Sequence, residues 1–110
     1  MSDNSDYERR FARLQASYLE RVEGRIARLE ELRDACREGG DAEDFDEIYQ
    51  IVHRMSGTGE TMGFPKIGEA SIAVEERLDR AEGALRDDPA LLGEVLEGYC
   101  TRLRGLLDEL

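Results

Sequence analysis

Apolar residues in this chain recur in steps of three and four along four separate stretches, and that period constrains the fold more than any other feature. Phe11, Leu14, Tyr18, Val22, Ile26, Leu29, Leu32 and Cys36 mark one buried helical face. Phe45, Ile48, Val52, Met55, Gly59 and Met62 mark a second, and Ile67, Ala70, Val74, Leu78, Ala81 and Leu85 a third. Leu92, Val95, Tyr99, Leu103, Leu106 and Leu110 mark a fourth. The breaks between them carry stop and start signals. Ser5-Asp6-Tyr7-Glu8 has the form of a capping box, Gly39-Gly40 ends a helix, and Asp41 suits an N-cap. Gly63 precedes Pro65, and Asp88 precedes Pro89, as C-terminal glycine, N-cap and first-turn proline should. Amphipathic helices with short connections predict an all-α, antiparallel up-down four-helix bundle. Its first helix must be long or bent, because its N-terminal turns have to overhang, fold back or find a partner. Gly24 is the candidate bend point, at a typical cost of ~1 kcal/mol in a helix interior. Residues 1–5 read as a disordered tail.

At 110 residues, the chain reads as a single domain over 1–110. Its formal net charge is −11, from 15 Lys and Arg against 26 Asp and Glu. Backbone affinity for nucleic acid comes from Lys and Arg neutralising phosphates, so this balance argues against a duplex-binding protein and against adsorption to an anionic membrane. Hydrophobic residues at 40% are enough for one core, so the acidity does not imply disorder. The N-terminus lacks the apolar segment of a signal peptide, and no run approaches the ~18 apolar residues of a membrane span. A cytoplasmic location is expected. Cys36 and Cys100 form no CxxC pair and lie on or beside apolar positions, so buried reduced thiols are expected and no metal site. There is no glycine-rich phosphate loop ending in Lys-Ser or Lys-Thr, which argues against autonomous ATP use. Glu75 and Glu76 are adjacent and diverge by ~100° on a helix, so a hydrolase-type acid/base pair has no support.

Any histidine chemistry rests on His53, the one histidine. On a wheel at ~100° per residue with Ile48 at zero, the second stripe falls within about 60°, whereas His53 falls near 140°. The imidazole therefore faces solvent and keeps a ring nitrogen available as a nucleophile. Asp46, Gln50, Gly57 and Glu60 share this side of the wheel. Gly57, one turn on, would let another protein approach the ring closely, although other helical glycines in the chain have no such role.

The run His53-Arg54-Met55-Ser56-Gly57, with Gly63-Phe64 following, resembles the signature of histidine phosphotransfer (HPt) domains. That signature is a histidine, two variable residues, usually a lysine, then glycine, with a second glycine six positions later and often a phenylalanine after it. Ile51-Val52, Ile67 and Ala70 match the family's packing positions, and the resemblance extends over roughly residues 8–110. It implies that His53 accepts a phosphoryl group from a receiver-domain phospho-aspartate and passes it to another receiver in a two-component phosphorelay of bacterial type. The chain would then be a phosphocarrier rather than an enzyme. It would bind no cofactor of its own, with Mg²⁺ held by the partner receiver. Implied partners are response-regulator receivers and a hybrid sensor kinase, and a monomer is expected over a dimer. Ser56, Gly57, Glu60 and Arg54 would surround the phosphosite, with Asp46, Tyr49, Gln50 and Gly57 docking the partner. Asp46 and Glu60 either tune the imidazole or are simply solvated.

One position departs from the pattern. The usual lysine is Ser56, which removes a charge-assisted contact to phosphate. Arg54 sits about 100° from His53 on the wheel, and Lys66 lies beyond the helix end. The missing lysine motivates a second reading, an HPt-like module that docks receivers or kinases without carrying phosphate. The long first helix motivates a third, a helical oligomerisation protein. A dimerising kinase phosphoacceptor fits less well, since an acidic residue usually follows its histidine and Arg54 follows here.

Overall fold

The computed structural model describes residues 3–110. Five helices follow in order: α1 (Asp3–Arg37), α2 (Ala42–Thr58), α3 (Pro65–Arg80), α4 (Glu82–Asp87) and α5 (Pro89–Asp108). The four longer ones form the expected all-α bundle. α1 packs chiefly on α5 and α2 on α3, and α3–α5 and α1–α2 contacts close the ring.

Local signals account for most of the boundaries. Asp41 caps α2 by a full capping box, accepting from the Asp44 amide while the Asp44 carboxylate accepts from the Asp41 amide, each at 3.1 Å. Asp88 caps α5 by accepting from the Leu91 amide at 3.1 Å, with Pro89 in the first turn. Gly39 and Gly40 leave α1 with positive φ, and the Gly40 amide returns to the Ala35 carbonyl at 2.9 Å.

Two expectations need correcting, and one alternative left open is decided. First, α1 is already helical at Asp3, so Ser5 lies inside the first turn and does not cap it. Of the tail expected over residues 1–5, Asp3–Ser5 are helix, and residues 1–2 lie outside the described residues. Second, α1 runs straight through Gly24 without a break, and at ~1.5 Å per residue its 35 residues span about 52 Å. The molecule measures 59 × 22 × 22 Å, so the first turns of α1 overhang the bundle. Third, the third stripe is divided between α3 and α4 at Ala81, where φ −114° and ψ 22° leave the helical region. One such residue barely disturbs the 3.6 period, and Ala81 still receives the Leu85 amide at 2.8 Å. The bend seats Leu85 in the core and lays Arg86 over the Phe45 ring, 4.3 Å from its centroid.

The core is one cluster that follows the predicted stripes from Tyr18 to Cys36, Phe45 to Met55, Ile67 to Leu85 and Leu92 to Leu103. Leu96 and Cys100 widen the α5 face beyond its predicted line, and both cysteines are buried and free. Burial pushes the Cys100 thiol up to about 11. Ser71 is the one fully buried polar side chain among the described residues, and its hydroxyl meets the Ile67 carbonyl at 2.8 Å and the Tyr99 hydroxyl at 2.6 Å. The ends of the stripes depart from prediction. Leu14 is 55% and Leu110 67% exposed, because each lies past the helices that would cover it.

α2 ends at Thr58, so Gly59 and Met62 fall outside it, in the turn to α3. At Gly59 the two helices come closest: a Cβ there would sit 2.5 Å from the Gly68 nitrogen and 2.8 Å from its Cα. Backbone cannot yield as a flexible side chain can. Gly59→Ala should therefore cost about 2 kcal/mol and lower Tm by roughly 10 °C. Gly24→Ala meets nothing within 4 Å and should raise stability by up to ~1 kcal/mol. Paired thermal melts of the two variants check both signs.

Candidate functional site

His53 projects from the middle of α2 with its side chain 66% exposed, on the wet face as the wheel places it. Val52 and Met55, its neighbours on the core stripe, are fully buried and fix the helix rotation that presents it.

The ring is held from two sides. Nδ1 contacts the Oε2 carboxylate oxygen of Glu75 on α3. The Tyr49 ring, one turn earlier on α2, lies nearly parallel to the imidazole, with centroids 6.1 Å apart and planes 8° apart. Tyr49 faces α3 as well: the Asp79 carboxylate there pushes its phenol up to about 12. Ser56 Oγ lies 2.7 Å from Glu75 Oε1 and 2.9 Å from the His53 carbonyl. A hydroxyl has one proton, and the carboxylate is the stronger acceptor, so Ser56 holds the second oxygen of the same Glu75 that holds the ring.

This arrangement has a chemical consequence. A carboxylate at Nδ1 favours the tautomer with the proton there, which leaves the lone pair on Nε2, the nitrogen turned to solvent. The site is thus built to present Nε2 as a nucleophile. Its surroundings are acidic, and among the described residues no Lys or Arg makes a hydrogen bond or ion pair with His53, Glu75 or Ser56.

The other predicted site residues fall in different places. Gly57 is exposed with nothing within 4 Å of a would-be Cβ, so the surface beside the ring is open. Gln50 is exposed one turn before His53, on the groove that Tyr49 also lines. Asp46 is taken by Arg86 at 2.5 Å, and Arg86 also reaches Glu82 at 3.0 Å, so Asp46 does not reach the imidazole. Glu60 lies in the turn after α2, where the helical wheel no longer applies, and it makes no bond to His53. Arg54 is exposed, and the structure records no bond between its guanidinium and the ring or the groups that hold it. Lys66 approaches Glu109 at 3.9 Å, at the far end of α3 from Glu75.

Sequence reasoning missed Glu75, which it weighed only against Glu76 as an acid/base pair. The signal was the hairpin register. Gly59 meets Gly68, and counting back six residues on α2 while counting forward six or seven on the antiparallel α3 sets His53 against Val74 or Glu75. Of the two, only Glu75 faces the ring. Among the described residues no group of three or more His, Cys, Asp or Glu is placed to hold a metal ion.

If Glu75 sets the tautomer, Glu75→Ala should raise the share of the Nε2-protonated form in ¹⁵N-resolved spectra of neutral His53. Glu75→Gln, which keeps an acceptor oxygen but no charge, should fall between the two. Loss of a charged hydrogen bond of ~1.4 kcal/mol would shift the tautomer ratio about tenfold in the alanine variant.

With this geometry in place, comparison with known proteins adds one finding. The family model for the Hpt domain matches residues 13–110. No curated protein and no solved structure gives a match.

Proposed function

The chain belongs to the Hpt domain family, the histidine phosphotransfer modules of phosphorelays, and from that premise we propose that His53 is its phosphoacceptor, taking a phosphoryl group from a receiver phospho-aspartate and handing it to another receiver. The observation that carries this reading is the contact of His53 Nδ1 with Glu75 in a side chain that is 66% exposed, which in the neutral ring favours the lone pair on Nε2. In the forward step the Nε2 lone pair attacks phosphorus, an N–P bond forms, and the P–O bond to the aspartate breaks, returning a carboxylate. Glu75 keeps its hold on the Nδ1 proton and offsets the positive charge that the ring gains on phosphorylation. In the second step the phosphoryl group leaves Nε2 for the carboxylate of the next receiver, and the ring returns to its starting tautomer.

On this reading the chain is a carrier and brings a presented nucleophile. Mg²⁺ and the acidic pocket that holds it belong to the receiver. Tyr49, Gln50 and Gly57 form the ground on which the receiver sits, with Gly57 giving clearance for its active-site rim. Asp46 and Arg86 lie two turns away, at the edge of that ground.

Ser56 is where this site differs from the usual pattern. In place of a lysine beside the phosphoryl group it puts a hydroxyl that is occupied with Glu75. Among the described residues no cation contacts the ring, so phospho-His53 depends on the partner for neutralisation. The same observation favours the second reading, a docking module that binds receivers without holding phosphate.

Incubation with a phosphorylated receiver separates the two. The phosphocarrier reading expects acid-labile label on the wild type and none on His53→Gln. Receiver binding with label on neither protein would establish the docking module instead. Ser56→Lys should lengthen the lifetime of phospho-His53 several-fold, read from the decay of label after the receiver is removed. An unchanged lifetime would show that the lost lysine has no electrostatic importance here.

A further inference from the structure

The first side chain of α1 to bond another element, among the described residues, is Gln15, which donates to the Met62 carbonyl at 3.0 Å. The turns before it project past the bundle. They nevertheless carry an apolar seam: Tyr7 is 69% and Leu14 55% exposed, Phe11 lies between them, and the Tyr7 and Phe11 rings stack at 6.4 Å and 9°. Together with Arg10 they line a shallow cleft. Tyr7, Phe11, Leu14 and Tyr18 follow the four-three-four spacing of a coiled-coil seam. Tyr18 is buried in this bundle and Phe11 half-buried beside Gly63, so Tyr7 and Leu14 are the exposed part of the seam.

Charge along the same turns is divided into two blocks. Asp6 and Glu8 come first, and Arg9, Arg10 and Arg13 follow. One weak contact joins the blocks within the helix, Arg9 to Asp6 at 4.0 Å, between exposed side chains. Arg10 and Arg13 make no ion pair among the described residues. This pattern is self-complementary in one orientation. Two overhangs lying antiparallel set the acidic block of each against the basic block of the other, and both contacts form under a single two-fold axis. Parallel overhangs would set like against like. In a chain of net charge −11, two copies repel one another elsewhere, whereas the overhang from Asp3 to Leu14 balances three acidic against three basic residues, so it is where two copies can approach, and the order of the blocks selects the direction.

We infer that the overhang of α1 is a self-association element, and that a second copy of this chain packs antiparallel on the seam Tyr7–Phe11–Leu14. This departs from the expected monomer. It does not depend on His53 as phosphoacceptor, because the seam and the phosphosite share no residues. About three turns make a small interface, so the dissociation constant should be roughly 10–100 µM.

Sedimentation velocity of the full chain across that range tests the inference. The wild type should shift from monomer to dimer, and Phe11→Asp should remain monomeric with unchanged helical circular dichroism. Two charge variants then test the orientation. Arg10→Glu with Arg13→Glu makes the overhang net acidic, and Asp6→Arg with Glu8→Arg makes it net basic. Each alone should weaken self-association at least tenfold, and an equimolar mixture should restore dimers as heterodimers. A wild type that stays monomeric at 500 µM overturns the inference, including the case in which the overhang serves another protein. Charge variants that dimerise as the wild type does, or a mixture that stays monomeric, overturn the antiparallel packing.

Discussion

The contact on which the site depends is the meeting of Gly59 and Gly68, where the backbones of the α2–α3 hairpin run closer than any side chain allows. It fixes the spacing and the register of the two helices together. From that register His53 falls opposite Glu75, Ser56 opposite the same carboxylate, and Tyr49 opposite Asp79. A slip by one residue would rotate the acidic groups of α3 away from the imidazole. It would also unseat Met55 and Leu78, which are fully buried. Core packing and site geometry are therefore two results of one close approach, and the glycines that permit it lie six and fifteen residues from the histidine they serve.

The site inverts a common electrostatic arrangement. A phosphorylated imidazole is usually eased by a nearby cation, and here the charged group on the ring, among the described residues, is the Glu75 carboxylate. On the proposed reading, Glu75 suits the ring before phosphorylation and the charge the ring would gain afterwards, but not the phosphoryl oxygens. An acidic surround of this kind favours passage over storage, since a group held without a cation is held briefly.

Much of this was legible in the sequence, for identifiable reasons. Helical period marked the buried faces because burial on one side of a 3.6-residue repeat leaves a strong trace. The wheel placed His53 in solvent because Ile48, Val52 and Met55 fix the rotation of α2 without help from any other helix. The break at Ala81 left no such trace, since Leu85 stays in phase across it. Glu75 was missed because its role exists only between helices: on α3 alone it is one acidic residue among several, and its register comes from a glycine contact that periodicity does not report. Asp46 and Glu60 failed as imidazole partners for a related reason. Arg86, forty residues on in the chain, takes the first, and the end of α2 at Thr58 removes the second from the helix altogether.

The length of α1 also bears on how the molecule moves. An isolated helical segment of a dozen residues is marginal in water, because few of its bonds are supported by packing. Beyond Gln15 the helix depends almost wholly on its own backbone, whereas from Tyr18 onward the core holds it. The same continuous helix thus has two stabilities, and its backbone amides should exchange with solvent on two timescales, fast outside the bundle and slow within it. Whatever settles on the outer turns also completes their folding, so contact there is felt as order along the helix and not only as added mass.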